Sequence, residues 1–192
     1  MKLYERLKST LYWNKPIKAQ LEALSQYDNL SDVELEELAK TCHKSTEAGI
    51  LIEYLGYQKL IKYLPNFMTF LQDMNWPAAV GAAKMLAEAG RTIIPEIRWV
   101  FDKESNDHIW HYWILVGVIH HFDPEVIEEL KPDLLNLIDR ADKEGAATQA
   151  LRILKENEVL NAEEVKKYYA YLLAKFEGDD YWINDLKEEI GF

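Results

Sequence analysis

Ile94-Pro95-Glu96-Ile97 opens the stretch that decides the fold, because two other stretches repeat its pattern. Leu64-Pro65-Asn66-Phe67 precedes it and Lys131-Pro132-Asp133-Leu134 follows it. In each copy a polar residue follows the proline, apolar residues stand two, five and six positions after it, and an aspartate stands seven or eight positions after it. This apolar spacing is that of one helical face, and proline is tolerated in a first helical turn. Each copy therefore predicts a helix that begins at its proline.

The spacing of the copies indicates a repeat architecture. Their prolines lie 30 and 37 residues apart, and Val80-Gly81 and Val116-Gly117 match 36 residues apart on the preceding helices. Periods of roughly 30–40 residues are typical of α-solenoids, in which helix pairs stack and share one core. The predicted fold is all-α, a right-handed superhelix of antiparallel, HEAT-like helix pairs. We expect Gly81 and Gly117 to allow close helix–helix approach, since glycine within a helix costs about 1 kcal/mol relative to alanine.

Helical periodicity extends along the whole chain, and strand-like alternation is almost absent. Capping boxes are predicted at Ser31 with Glu34 and at Asn161 with Glu164. Every proline is predicted to stand in a first turn, namely Pro16, Pro65, Pro77, Pro95, Pro124 and Pro132. The glycines predicted to end helices are Gly56, Gly90 and Gly178. The predicted helices are 2–13, 16–27, 32–44, 46–55, 57–63, 65–73, 77–89, 94–103, 107–121, 124–129, 132–141, 144–156, 161–176 and 180–190.

Length and composition favour one helical domain over residues 1–192. A single cysteine, Cys42, excludes an internal disulfide and a thiolate metal cluster. The first residues lack the apolar core of a signal peptide, and no apolar run is long enough to span a bilayer. We expect a cytoplasmic protein that does not bind membranes.

The net charge of −11 lies mostly in the last third of the chain. Residues 123–192 carry 9 basic and 18 acidic groups, a net charge of −9. Nucleic-acid binding is disfavoured, because its affinity comes from cations that neutralise phosphates. An acidic face is usually a matter of solubility, but it can also steer a basic protein partner toward the chain.

Trp99 and Arg98 are the candidate partner-contact residues. Trp99 follows Pro95 by four positions, between the positions expected to be buried, and Thr69 and Asn136 occupy that slot in the other copies. Because those two residues are polar, we expect the slot to face outward. An exposed tryptophan is a typical anchor of a protein interface.

Candidate chemistry is sparse. His108 and His111 share one helical face and are spaced to reach a common metal ion, but a metal site would also need a carboxylate such as Asp73 or Asp107. The alternative, which we favour, is that these rings fill the rims of a nearly buried helix. Neither nucleotide-binding glycine loops nor a nucleophile elbow occurs, and Cys42-His43 are adjacent residues that diverge on a helix. The sequence therefore predicts no catalytic, cofactor-binding or metal-binding residues, and no cofactor.

The run Phe70-Leu71-Gln72-Asp73-Met74-Asn75-Trp76-Pro77-Ala78 resembles a hallmark of a bacterial family of domains of unknown function. Ile93-Ile94-Pro95-Glu96-Ile97 followed by Asp107-His108-Ile109-Trp110-His111-Tyr112-Trp113 is similar to the same family. The resemblance covers residues 57–156, which it implies are the repeat core, and leaves residues 1–56 and 157–192 as helical flanks. It implies a small, HEAT-like helical domain and no established activity.

Two function hypotheses follow. The first is a non-enzymatic interaction module for another protein, in a sharper form an immunity or antitoxin-like protein whose acidic face binds a basic toxin. The alternative is a helical metalloprotein or enzyme that uses His108, His111 and nearby carboxylates. Recognition of DNA by a solenoid would need a cationic concave face, for which Arg91, Arg98 and Lys103 are too few.

Overall fold

A computed structural model describes residues 2–10 and 16–191, without the side chain of Ile17. The described residues form helices and 3-10 turns and contain no strand, so the predicted all-α class is confirmed. The helices are α1 (Leu3–Thr10), α2 (Ile17–Leu24), α3 (Asp32–Thr41), α4 (Thr46–Leu60), α5 (Leu64–Met68), α6 (Ala79–Ala89), α7 (Ile94–Lys103), α8 (His108–Gly117), α9 (Pro124–Glu129), α10 (Lys131–Arg140), α11 (Ala146–Glu156), α12 (Ala162–Lys175) and α13 (Asp180–Ile190).

Most of the predicted helix boundaries are confirmed. Both capping boxes form, at the starts of α3 and α12. The glycines predicted at helix ends all have positive φ, and one of them, Gly56, interrupts α4 between the two helices predicted there. The prolines found in first turns are Pro65, Pro95, Pro124 and Pro132.

Other boundaries were wrong. Pro77 stands in a turn two residues before α6, and Pro16 is the residue that caps α2. The helix predicted at 107–121 ends at Gly117, because Val118 adopts φ −128° and ψ −65° before a 3-10 turn at Ile119–His121. Gly117 is thus a terminal residue and not an interior one. Residues 11–13 of the first predicted helix lie outside the described residues.

The chain divides into two compact units, Met1–Ala89 and Gly90–Phe192. Among the described helices, none is long and apolar enough to cross a membrane. The apolar positions of all three proline copies are almost fully buried (Phe67, Phe70, Leu71, Ile97, Val100, Phe101, Leu134, Leu137 and Ile138). The repeated pattern therefore corresponds to a repeated core face.

In the first unit, α4 and α6 pack backbone against backbone. A Cβ atom added to Gly81 of α6 would stand 2.1 Å from the carbonyl oxygen of Gly49 in α4. A Cβ atom on Gly49 would in turn stand 3.0 Å from the Cα atom of Ala78. The close approach predicted for Gly81 is confirmed, and its counterpart is Gly49, which the repeat pattern did not identify.

In the second unit, α11 is the central helix and contacts α8, α9, α10, α12 and α13. Its residues from Ala146 to Leu151 are all buried, as are Ile153 and Leu154. The sequence predicts that α8 is nearly buried, but Ile109 is exposed and Tyr112, Trp113 and Val116 are half-buried. The aromatic content of α8 therefore leads to an overestimate of its burial.

Replacement of Gly81 by alanine tests the contact between α4 and α6. Alanine normally favours a helix, but here its methyl group would overlap backbone atoms that cannot rotate away. We expect the free energy of unfolding to fall by about 3 kcal/mol or more, measured by urea denaturation.

The matched control is Gly178→Ala. Gly178 has φ +83° and open space around the added Cβ atom, so the loss there should be about 1–2 kcal/mol, from backbone strain alone. Equal losses in the two variants would contradict the close packing.

Candidate functional site

The slot occupied by Trp99 faces solvent. Trp99 is 53% exposed, and Thr69 and Asn136, its counterparts in the other copies, are also exposed. The predicted orientation of this slot is therefore confirmed. Its role as a partner contact stays a prediction.

Arg98, the other candidate contact residue, is bound within the second unit. Its Nε atom donates to a carboxylate oxygen of Asp133 at 3.0 Å, and its Nη2 atom donates to the carbonyl oxygen of Glu129 at 3.0 Å. Arg98 thus ties α7 to the start of α10 and leaves Trp99 as the more accessible member of the pair.

His108 and His111 do lie side by side, with ring centroids 5.8 Å apart in an edge-to-face arrangement. The nearby carboxylate of Asp107 accepts a hydrogen bond from the Trp110 amide and caps α8. In the described part of the chain, no three histidine, cysteine, aspartate or glutamate side chains are placed to hold a metal ion. Two histidines fall short of the three protein ligands that a catalytic zinc site uses.

His111 is fully buried between α7 and α8 and packs edge-on against the ring of Phe101 at 5.1 Å. Within the described residues neither ring nitrogen reaches hydrogen-bonding geometry, even toward the nearby Val100 carbonyl. Burial lowers the pKa of His111 to about 4, with further contributions from the charges of Arg140 and His108. His111 is therefore a neutral core residue near pH 7.

Cys42 and His43 do not form a catalytic pair. The Cys42 thiol is buried, which raises its pKa, and its Sγ atom lies 3.8 Å from the Thr41 hydroxyl. The His43 ring instead packs against Trp76, with centroids 4.5 Å apart, and against Phe70. The thiol is unsuited to nucleophilic chemistry, because only the thiolate is reactive.

A cluster that the sequence reasoning missed lies where α8, α11 and α13 meet. Arg152 of α11 donates to Glu189 of α13 at 2.6 Å and to Glu156 of its own helix at 2.8 Å. Asp185 stands one helical turn before Glu189. Burial raises the pKa of Asp185, and the charge of Glu189 raises it further.

Tyr112 of α8 faces the same acids. Burial raises the pKa of Tyr112. The charges of Glu189, Asp185 and Tyr181 raise it further. The sequence signal for this cluster was the spacing of Asp185 and Glu189, since residues four apart share one helical face.

The pKa of His111 leads to a prediction about stability in acid. In the unfolded chain a histidine binds a proton below about pH 6.5, whereas His111 in the folded protein resists protonation down to about pH 4. The contribution of neutral His111 to the free energy of unfolding is therefore complete above pH 6.5 and is lost as the pH falls toward 4. Between about pH 7.5 and pH 5, we expect His111 to account for a loss of about 2 kcal/mol in the free energy of unfolding.

The measurement is urea denaturation at both pH values for wild type and His111→Leu. The variant should lack that part of the acid loss, whatever its stability at neutral pH, while His121→Asn, which changes an exposed histidine, should keep it. An equal acid loss in wild type and His111→Leu would refute the assignment.

Comparison with known proteins identifies a family but no function. No curated protein and no solved structure matches the chain. Residues 38–157 match a domain of unknown function, DUF5071, so the match begins in α3 and takes in part of the flank that the sequence resemblance had left out. This match covers more than half of the chain, and the protein therefore belongs to the DUF5071 family.

Proposed function

We propose that this chain is a non-enzymatic module that binds another protein, and that residues 123–191 supply an acidic surface for a basic partner. The observation that carries the proposal is the arrangement of charges in the second unit. Three of the cations of residues 123–191 donate to backbone carbonyls of the same unit, while most of the exposed carboxylates of this region form no ion pair.

Three cations of this region are bound by backbone carbonyls. Lys131 donates to the Val159 carbonyl at 3.0 Å, and Lys155 donates to the Ile190 carbonyl. Arg140 donates to the carbonyls of Phe101 at 3.0 Å and Ser105 at 3.4 Å, at the end of α7. Cations held against the C-terminal ends of helices stabilise those ends and are not available to balance surface acids.

The exposed carboxylates of the region extend over every helix from α9 to α13 and the connections between them. They include Asp123, Glu125, Glu128, Asp139, Glu144, Glu158, Glu177, Asp180 and Glu188. A surface of one sign accelerates encounter with a partner of the opposite sign and disfavours partners of the same sign. An immunity or antitoxin-like protein that binds a basic toxin in the cytoplasm is one form of this function.

A HEAT-like stack of helix pairs within each unit fits this role. In each unit a tyrosine hydroxyl donates to a backbone carbonyl that lies earlier in the chain by a similar separation: Tyr63 to Asp32 over 31 residues, and Tyr171 to Asp139 over 32 residues. Stacked pairs of this kind present extended surfaces, which solenoids use to bind other proteins.

Charge reversal on this surface tests the proposal. In Glu128→Lys/Glu177→Lys, we expect the tagged protein to capture at least about fivefold less of a basic partner from lysate of its source, because like charges now meet at the interface. Quantitative mass spectrometry of the captured proteins, at about 0.1 M salt and again at about 0.5 M, gives the loss and its salt dependence.

The control is Glu22→Lys/Glu88→Lys, which reverses two exposed acids of the first unit and also changes the net charge from −11 to −7. It should capture the partner as wild type does. Equal loss in both variants, or capture of an acidic partner that salt does not displace, would rule the proposal out.

A further inference from the structure

Helix α8 has two faces of mostly apolar side chains that point in opposite directions. The buried face consists of Trp110, His111, Ile114 and Leu115. The other face also has helical spacing, since its residues stand three, four and seven positions after the first, and it consists of Ile109, Tyr112, Trp113 and Val116. Successive residues are about 100° apart around a helix, so the two sets lie on opposite sides of α8.

The second face of α8 is left open within the described part of the second unit. Ile109 is 50% exposed, and Tyr112, Trp113 and Val116 are half-buried. A helix that is apolar on all sides is normally covered on all sides. A continuous apolar surface that stays open instead marks a place where another molecule binds.

Aromatic rings of α13 extend this open face. The Tyr112 ring packs edge-on against the Trp113 ring, with centroids 4.9 Å apart. A Cβ atom added to Gly145, at the start of α11, would stand 3.1 Å from the Tyr112 ring and 3.6 Å from the Trp182 ring. The Trp182 ring packs edge-on at 4.8 Å against Tyr181, which is 69% exposed. We call these side chains together the α8 surface: Ile109, Tyr112, Trp113, Val116, Tyr181 and Trp182.

Carboxylates border the α8 surface on the side of α13. Glu144 directly precedes the first residue of the contact at α11, and Asp180 opens α13. Both are exposed, and neither forms an ion pair within the described residues. Lys143, the cation next to Glu144, is paired with Asp179 at 3.2 Å. The charge that a partner meets beside the rings is therefore negative.

We propose that the α8 surface binds a basic amphipathic helix of the partner protein, whose apolar side chains pack on the open face of α8 and whose cations face Glu144 and Asp180. Apolar side chains of such a helix recur every three or four residues, which matches the spacing of Ile109, Trp113 and Val116. Its lysine and arginine side chains pair with carboxylates and also bind the faces of aromatic rings. This inference rests on the proposed function and names the surface and the kind of segment that would meet there.

The probe is the basic amphipathic peptide acetyl-Leu-Lys-Lys-Leu-Leu-Lys-Leu-Leu-Lys-Lys-Leu-Leu-Lys-Leu-amide, titrated into the full chain while the tryptophan indole N–H signals are followed by NMR. We expect saturable shifts at Trp113 and Trp182, and none at Trp99, an exposed tryptophan of α7 outside the α8 surface. The peptide with glutamate in place of each lysine should bind at least about tenfold more weakly, because like charges then meet.

The variant Ile109→Ser/Tyr181→Ser removes two exposed apolar side chains of the α8 surface. It should weaken binding of the basic peptide by about tenfold or more and lower capture of the basic partner by at least about fivefold. Tyr181→Ser alone, at the more exposed of the two positions, should weaken peptide binding by at least about threefold and keeps the test valid if the double variant does not fold.

The matched control is Val80→Ser/Trp99→Ser. It removes two side chains that are each 53% exposed and lie outside the α8 surface, so it should change peptide binding and capture by less than about twofold.

Four results would overturn the inference. They are equal losses in the two double variants, equal binding of the lysine and glutamate peptides, shifts at Trp99 as large as those at Trp113 and Trp182, and no shift at all. A wild-type dimer in sedimentation that Ile109→Ser/Tyr181→Ser dissociates would also overturn it, in favour of a second copy of the chain. Binding of these residues to vesicles of phosphatidylglycerol would overturn it in favour of a membrane.

The two proposals fail separately. If Glu128→Lys/Glu177→Lys loses the partner but Ile109→Ser/Tyr181→Ser captures it as wild type does, the acidic surface stands and the α8 surface is not its contact. If Ile109→Ser/Tyr181→Ser loses both the peptide and the partner while charge reversal leaves capture unchanged, the α8 surface binds a partner and the proposed acidic surface fails.

Discussion

The second unit depends on the burial of α11. Five other helices contact this helix, and its small residues at Ala146, Ala147 and Ala150 let them approach closely. A helix that is buried on nearly all sides cannot be stable by itself, so its neighbours must assemble with it. The same packing brings Tyr112 of α8 and Asp185 of α13 to one place, although 73 residues separate them in the chain.

Much of the fold followed from local signals that tertiary contacts do not override. Prolines that open helices, capping boxes and positive-φ glycines act within a few residues, which is why Pro95, Ser31 and Gly56 were interpreted correctly. The outward orientation of Trp99 followed from comparison with two polar counterparts in the repeat. The end of α8 at Gly117 could not be predicted in this way, because the apolar periodicity continues through Val118 and Ile119.

The candidate site was harder to predict because it is assembled from three helices. Asp185 and Glu189 are ordinary surface acids in the sequence. Their significance comes from desolvation and from mutual repulsion, which depend on distances that only the folded chain sets. His111 shows the reverse case, since a residue with metal-binding potential in the sequence is a neutral, buried ring in the fold.

The charge pattern of the second unit affects both its stability and the partner that it would bind. Lys131, Arg140 and Lys155 donate hydrogen bonds to backbone carbonyls at helix ends. Their positive charges are therefore not available to pair with surface acids. Most of the exposed acids of residues 123–191 form no ion pair, a state that costs self-repulsion in the free protein. A basic partner would remove that repulsion, so the same arrangement that completes the helix ends favours binding.

Carbodiimide cross-linking of the chain with its captured partner, read by mass spectrometry, tests the central claim most directly. The reagent joins carboxylates to lysines that touch them, so it reports which acids lie in the interface. The account predicts that cross-links to the partner come from acids of residues 123–191. Cross-links that come instead from acids of residues 2–89 would contradict it.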